Sequence, residues 1–201
     1  MNTNIPIYDA VIATNDDGIS VMSLVSRPAT QSHFVALAKE EPKPEFVAFE
    51  DAEQRILYGV VARADHPVYR NQNGREYYLR FSAETLRVVA EKMLYDGFTS
   101  SVDIEHSLNL VSGVHLQQLF IKDIEKGIDP KGFSEIEDGS LFAVYKVHND
   151  EVWESVKRGE FKGFSLYGHF SFVVPKTEES VSEVLADIYQ LLRTAREKAT
   201  N

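Results

Sequence analysis

The clearest strand pattern in the sequence is FKGFSLYGHFSFVV, residues 161–174. Apolar and polar residues alternate along it, and successive side chains of a β-strand point to opposite faces. One face therefore carries aromatic and aliphatic side chains, and the other carries hydroxyl, phenol and imidazole groups, with Ser165 among them. The pattern predicts a strand with one side in the core and one polar side.

The residues before this strand predict a short helix and two further strands. In NDEVWESVKRG, residues 149–159, Asn149 is a good capping residue, acidic residues follow it, and Gly159 can end the helix. DGSLFAVYKV (138–147) and GVHLQQLFIKDI (113–124) are rich in β-branched and aromatic residues. We therefore expect a strand, a helix and the strand of residues 161–174 to follow one another.

A hairpin and a second helix are predicted in the first half of the chain. ILYGVVAR (56–63) and EYYLRF (76–81) have strand composition, and residues 71–74 between them are a polar turn. The helix begins after Ser82 as its N-cap and ends at Gly97. The order of elements favours an α+β fold, with a largely antiparallel sheet or barrel and a few helices packed outside.

Composition divides the chain into three regions. Residues 1–50 mix short apolar runs with an acidic stretch containing prolines, and are interpreted as an N-terminal arm and connector. Residues 51–175 contain the predicted barrel domain. Residues 176–201 have apolar residues at helical spacing, which predicts a C-terminal amphipathic helix. That helix would cover the barrel, mediate dimerisation or scaffold docking, or begin a coiled coil of a larger scaffold fusion.

The charge balance and residue types exclude several classes of protein. The 201 residues include 21 Lys and Arg against 31 Asp and Glu, a net charge of −10, which argues against nucleic-acid binding. The chain has no cysteine, and none of its six histidines has the close spacing of a zinc motif, so we expect no metal and no cofactor. No run approaches the roughly 18 apolar residues of a membrane span. We expect a soluble cytoplasmic protein.

Ser165 and His106 are the candidate nucleophile and base. Gly163 and Gly168 flank Ser165, and glycine lets another backbone come close, with nearby N–H groups as oxyanion donors. A serine nucleophile needs a neighbouring base, usually histidine. His169 shares the face of Ser165, but at about 3.3 Å per residue it lies about 13 Å along the strand. His106, which ends SVDIEHS, is the better candidate, although an ordinary surface serine and histidine are the simpler alternative.

The third member of a triad is not assigned by the sequence. A third group should orient the imidazole and stabilise its positive charge. Asp103 and Glu105 are expected on the face opposite His106, because side chains alternate along a regular strand. His115, on the next predicted strand, is an alternative base. Two residues further along remain candidates for the third member: Gln118 and Asp123.

Four stretches, taken in order, are specific enough to compare with known families. They are SLVSRPAT (23–30), GVVARADHPVYR with EYYLRFSAETL (59–70 and 76–86), VDIEHS (102–107), and DGSLFAVYKVHNDEVWESVKRGEFKGFSLYG (138–168). Their order resembles that of the phage prohead maturation proteases, and within them the XkdF-like group of phage serine proteases. The likeness extends from residue 8 to residue 174.

The resemblance implies a fold like that of the herpesvirus assembly proteases, a β-barrel surrounded by helices. It implies a serine endopeptidase with Ser165 as nucleophile and His106 as general base. Such enzymes cleave scaffold protein and the scaffolding segments of the major capsid protein inside the immature head, and often themselves. We therefore expect those two proteins as partners, homodimerisation as a control on activity, and a location in the host cytoplasm inside the assembling prohead.

Two positions differ from the pattern that the resemblance implies. Tyr167 stands two residues after the serine, where glutamate is common, and Gln118 stands near a second common glutamate on the strand after the histidine. These differences motivate an alternative function. In that alternative the chain keeps the protease fold without catalytic activity and acts as a scaffold or core component of assembly.

Overall fold

The computed structural model describes residues 5–28, 46–48, 54–72 and 74–175. Within these ranges the chain is an α+β protein made mostly of strands, with two helices. The strands are β1 (Ile7–Val11), β2 (Gly18–Val25), β3 (Phe46–Ala48), β4 (Ile56–Ala62), β5 (Val68–Gln72), β6 (Arg75–Phe81), β7 (Val102–Ile104), β8 (Val114–Ile121), β9 (Leu141–Val147), β10 (Gly163–His169) and β11 (Ser171–Val173). The helices are α1 (Ala83–Tyr95) and α2 (Asp150–Lys157).

The described strands form three sheets. Their strand orders are β11-β1-β6-β5, β10-β2-β7 and β3-β4-β9-β8. Most neighbours are antiparallel, but β1 pairs with β6, and β2 with β7, in parallel. The hydrogen-bonded ladders do not continue from one sheet into the next, so the prediction of a closed barrel is wrong. Likeness to the herpesvirus assembly proteases stays a prediction.

The stretch of residues 161–174 forms two strands instead of the single strand that its alternation predicts. β10 ends at His169 and pairs with β2, whereas β11 begins at Ser171 and pairs with β1 in another sheet. Phe170, between them, is buried and its ring packs edge-on against Phe81 at 5.0 Å between centroids. The chain thus changes sheet at a buried aromatic residue.

The predicted hairpin joins different strands from those expected. β5, which the sequence analysis did not assign, pairs with β6 across the turn that follows Gln72. β4 pairs instead with β9 in the third sheet. Pro67, just before β5, has no backbone N–H and so cannot donate a hydrogen bond to a neighbouring strand.

Both predicted helix starts are confirmed. The Ser82 hydroxyl accepts a hydrogen bond from the backbone N–H of Thr85 at 3.0 Å, and the Asn149 side chain accepts one from Val152 N–H at 3.0 Å. Each interaction satisfies a donor that the first turn of a helix leaves free. α1 packs its buried stripe against β2, β8 and β9. α1 therefore covers one face of the sheet that contains β2.

The first residues of the predicted N-terminal arm are part of the folded body. β1 and β2 lie in two of the sheets, and Ala10, Met22 and Leu24 are fully buried in the main core. The remaining connector, apart from β3, and the predicted C-terminal helix lie outside the described residues. Neither of the helices in the described part of the chain has the length and apolar character needed to cross a membrane.

Candidate active site

A row of three polar residues crosses the sheet β10-β2-β7. Ser165 on β10 is opposite Ser23 on β2, and Ser23 is opposite Asp103 on β7. Residues directly opposite on adjacent strands present their side chains on the same face. Ser23 and Asp103 are fully buried, and Ser165 is only 5% exposed. Long-range strand pairing therefore gathers three chemically active groups on one face of this sheet.

The turn after β7 has an unusual backbone. Glu105, His106 and Leu108 have φ angles of 52°, 56° and 59°, in the left-handed region. For residues other than glycine this region costs on the order of 1 kcal/mol each, and such residues concentrate at functional sites. The turn lifts His106 out of the strand direction and returns its ring over the face that carries Ser23 and Ser165.

Hydrogen bonds from side chains and from the backbone hold this turn in place. The Asp103 carboxylate accepts from Leu108 N–H at 2.7 Å, and the Glu105 carboxylate accepts from Ser26 N–H at 2.7 Å. Glu105 N–H donates to the Leu24 carbonyl at 3.1 Å, and Val111 N–H donates to the Val102 carbonyl at 2.8 Å, which closes the loop behind the histidine. The two carboxylates thus stabilise the backbone that positions His106.

His106 bridges the two serines. Its Nε2 lies 3.0 Å from Ser165 Oγ, and its Nδ1 lies 2.9 Å from Ser23 Oγ. His106 is exposed to solvent, while Ser23 and Ser165 are buried. Nε2 is placed to accept the proton of Ser165, and Nδ1–H is placed to donate to Ser23. The arrangement can therefore activate a serine hydroxyl as a nucleophile.

The structure brings Ser165 and His106 together, but it does not bring the two candidates for the third member to them. Gln118 is exposed on β8, in the third sheet. Asp123 accepts hydrogen bonds from Lys126, which lower the pKa of its carboxyl, and also faces Arg87. Neither hydrogen-bonds to His106 in the described structure. The position beside Nδ1 is taken by Ser23.

The other histidines considered have different neighbours. His115 stacks on His148 with 5.1 Å between ring centroids, and His169 lies 3.8 Å from the Asp17 carboxylate. Within the described residues no three histidine or carboxylate side chains are grouped as metal ligands.

The flanking glycines have a structural explanation at one position. A Cβ at position 168 would lie 2.0 Å from the carbonyl oxygen of Gly18, where the pairing of β10 with β2 shifts register after Tyr167. The close backbone approach that Gly168 permits is thus made by the chain itself. Gly163 is buried opposite Val25. The roles predicted for the two glycines in oxyanion and substrate binding stay predictions.

Sequence reasoning missed Ser23 and misplaced Asp103. Ser23 is a lone polar residue inside the apolar run VMSLV, and an isolated hydroxyl in a buried strand was the available signal. Asp103 was expected on the face opposite His106. That expectation assumed a regular strand through His106. Instead β7 ends at Ile104, and the left-handed turn places the His106 imidazole on the same face of the sheet as Asp103.

Comparison with known proteins places the chain among phage proteins. It belongs to the family described as "Putative phage serine protease XkdF", whose model matches residues 43–173. It is similar to the phage-like element PBSX protein XkdF of Bacillus subtilis (strain 168), with 28% identity over 156 residues, 75% of this chain and 52% of that protein.

A second relative comes from the same organism. The uncharacterized protein YqbD of Bacillus subtilis (strain 168) is 27% identical over 188 residues, 87% of this chain and 52% of that protein. The chain therefore spans about half the length of both curated relatives. No solved structure matches the chain.

Proposed function

We propose that this chain is an active serine endopeptidase of phage head maturation. The observation that carries the proposal is the continuous chain of hydrogen-bonding groups from Ser23 through His106 to Ser165. Membership of a family described as phage serine proteases supports it independently. The strained turn that carries His106 supports it further, because such backbone is retained where function requires it.

In the proposed reaction, Ser165 Oγ attacks the carbonyl carbon of the scissile peptide bond while His106 Nε2 takes the hydroxyl proton. The tetrahedral intermediate collapses, the C–N bond breaks, and Nε2–H gives its proton to the leaving amine. The product is an acyl-enzyme ester on Ser165. His106 Nε2 then deprotonates a water molecule, which attacks the ester carbonyl. The ester C–O bond breaks, the acid product leaves, and Nε2–H returns its proton to Ser165 Oγ.

Ser23 acts on the other side of the ring. With Nδ1–H donating to Ser23 Oγ, Nε2 is left as the acceptor that Ser165 needs. The buried position of Ser23 keeps that partner fixed, because the β2 main chain is paired on both sides. Ser23 thus occupies the orienting position that an acidic residue holds in Ser-His-Asp triads.

The proposed substrates are the scaffold protein and the scaffolding segments of the major capsid protein, and the chain itself. The proposed place of action is the host cytoplasm, inside the assembling prohead. These proposals rest on the family and on the resemblance of the sequence to prohead proteases. Homodimerisation, which would restrict activity to the crowded prohead, is part of the same proposal.

One set of observations favours a second function, that of a catalytically inactive assembly component with the protease fold. In the described structure no carboxylate hydrogen-bonds to His106, and Tyr167 and Gln118 stand exposed where the resemblance implies glutamates. An inactive protein would tolerate these changes. The two functions make opposite predictions about Ser165.

The deciding experiment is intact mass spectrometry of the capsid and scaffold proteins from the same genome after incubation with this protein. We expect discrete fragments with wild type and a loss of at least about 10³-fold in their rate of appearance with Ser165→Ala, because the nucleophile is removed. Ser20→Ala is the matched control. Ser20 lies on β2, its hydroxyl is 3.4 Å from the Tyr167 carbonyl, and the variant should cleave like wild type.

A fluorophosphonate probe separates a missing substrate from a missing activity. It should label wild type on Ser165 and leave Ser165→Ala unlabelled, because it needs an activated serine and no peptide. If folded wild-type protein gives no fragments and is not labelled, the inactive assembly component is favoured. Labelling without fragments would retain the hydrolase and reject the proposed substrates.

A further inference from the structure

We propose that Asp103 is a positioning residue that acts on His106 through Ser23. Its carboxylate accepts a hydrogen bond from the Ser23 hydroxyl, so that the Ser23 oxygen accepts one from His106 Nδ1–H. The inference rests on the roles proposed above for Ser165 and His106. In this role Asp103 supplies the negative charge that the hydrogen-bonded groups of Ser23, His106 and Ser165 lack.

The first observation is an unsatisfied oxygen. Asp103 is fully buried, and its Oδ2 accepts from Leu108 N–H at 2.7 Å. Its Oδ1 is also buried and has no hydrogen-bond partner in the structure. Leaving a buried carboxylate oxygen without a donor is costly, so such an oxygen calls for a specific explanation.

The second observation is the position of that oxygen's side chain. Asp103 is directly opposite Ser23 on the neighbouring parallel strand, on the same face of the sheet. Cβ atoms of such neighbours are about 5 Å apart. A carboxylate and a hydroxyl at this separation can meet through a direct hydrogen bond after a small rotation, or through one bridging water. Either link transmits the charge.

Counting protons connects the two observations. For His106 Nε2 to accept from Ser165, the imidazole proton must be on Nδ1, where it is donated to Ser23 Oγ. The hydroxyl of Ser23 then has its own proton to donate elsewhere. Asp103 Oδ1 is a buried acceptor without a partner, at the paired position on the same face. The Nδ1–H tautomer leaves the Ser23 hydroxyl in need of an acceptor, and Asp103 Oδ1 is a buried acceptor in need of a donor.

Glu105 does not fit this role and provides a matched control. Its carboxylate accepts from Ser26 N–H at 2.7 Å and the residue is exposed to solvent. Like Asp103, it holds the turn that carries His106. Unlike Asp103, it is not at the position paired with Ser23. Glu105→Gln therefore tests the general effect of changing a carboxylate that supports this turn.

The test is ¹⁵N NMR of the His106 ring together with the rate of fluorophosphonate labelling of Ser165. The His106 signals are assigned by their absence in His106→Gln. We expect the Nδ1–H tautomer in wild type. In Asp103→Asn the amide oxygen can still accept from Leu108 N–H, while the amide NH₂ donates to Ser23 Oγ. The Ser23 hydroxyl then donates its own hydrogen bond to His106 Nδ1. The tautomer should shift to Nε2–H and labelling should slow about 100-fold.

Ser23→Ala cuts the same link while leaving Asp103 and its bond to Leu108 in place. It should give the same tautomer shift and a similar loss of labelling rate. The double variant with Asp103→Asn should be no slower than the slower single variant, because residues that act as a unit are not additive. Glu105→Gln should keep the wild-type tautomer and label within about 3-fold of the wild-type rate.

An unchanged tautomer and rate in Asp103→Asn, or losses that multiply in the double variant, would overturn the proposal. If Asp103→Asn does not fold, Ser23→Ala decides, since a wild-type tautomer in that variant also overturns it. The tautomer is measured without any substrate. Wild-type protein that resists labelling would therefore reject the proposed hydrolase, while the NMR comparison would still decide the role of Asp103.

Discussion

Both ring nitrogens of His106 meet hydroxyl groups within the described structure. A hydroxyl can fix the orientation of an imidazole, but it carries no charge to stabilise the imidazolium that the proposed reaction forms at His106. In the role proposed for it above, Asp103 supplies that charge through Ser23. This requirement makes the buried carboxylate beside Ser23 chemically relevant, although it does not touch the histidine.

Lys122 is a buried cation at the end of β8. Its side chain is 1% exposed, and its ammonium group donates to the carbonyl oxygens of Phe133 and Ile136 at 3.0 and 2.9 Å. Asp129 lies 3.3 Å away and supplies a partner charge. Lys122 thus fixes the long loop between β8 and β9 from the inside, through its backbone.

Lys122→Met should lower the free energy of unfolding by about 2 kcal/mol. The substitution keeps most of the apolar part of the side chain but removes the ammonium group, which leaves the two carbonyls without their donor. Urea denaturation of the folded proteins measures the change. Lys126→Met, on the same loop at a 71% exposed side chain paired with Asp123, should cost less than about 1 kcal/mol. Equal losses would show that burial of Lys122 is not the cause.

Single residues of the site were predictable to different degrees. Alternation in residues 161–174 placed Ser165 on the polar face, and the turn-prone segment after His106 placed that histidine near a strand end. Ser23 was not found, because its role depends on the pairing of β2 with β10. That register is set by contacts between distant segments, which a local pattern does not contain.

At the scale of elements, helices were predicted best because their end signals are local. Ser82 and Asn149 cap the helices as their sequence positions indicate. Strands were recognised but partly misassigned. The hairpin and the division of residues 161–174 into β10 and β11 depend on which sheet each strand joins, and strand composition does not specify that choice.

The register shift between Tyr167 and Gly168, near the end of β10, requires glycine at position 168. At position 168 a side chain would meet the backbone of Gly18, and backbone cannot move aside as a flexible side chain can. Gly168→Ala should therefore lower the free energy of unfolding by about 3 kcal/mol through overpacking. Thermal or urea unfolding provides the measurement.

Gly74→Ala is the matched control for that prediction. Gly74 has a φ of 79°, but a Cβ there would have no neighbour within 4 Å. Its substitution should cost only the backbone conformation, about 1 kcal/mol. A cost at position 168 no larger than at position 74 would mean that β2 and β10 separate easily, contrary to the tight pairing described here.

At the scale of the whole molecule, Asp17 connects two sheets. It lies in the loop between β1 and β2, and its carboxylate accepts from Ala13 and Thr14 N–H at 2.7 and 2.9 Å and from the Ser171 hydroxyl at 3.0 Å. Burial alone would raise the pKa of Asp17. The three hydrogen bonds, with His169 nearby, outweigh that effect and hold the pKa below its usual value.

Because the pKa of Asp17 is lowered by folding, the charged form stabilises the protein above the unfolded pKa of about 4, and this stability is lost as pH falls further. Asp17→Asn should be less stable than wild type by about 2 kcal/mol at pH 7, and the difference should shrink at pH 3. Urea midpoints at the two pH values measure it.

Asp16→Asn, at the exposed neighbouring position, should change stability by less than about 0.5 kcal/mol. A difference between wild type and Asp17→Asn that is the same at both pH values would contradict this account.

The three groups of the candidate site come from distant parts of the chain. Ser23 and Ser165 are separated by 165 − 23 = 142 residues, with His106 between them, yet they are direct neighbours across β2 and β10. During synthesis Ser23 emerges early and Ser165 late. A chain that stops short of β10 lacks Ser165, and a chain that has lost β2 lacks Ser23. Under the proposed function, peptide cleavage therefore requires β10 to be docked beside β2.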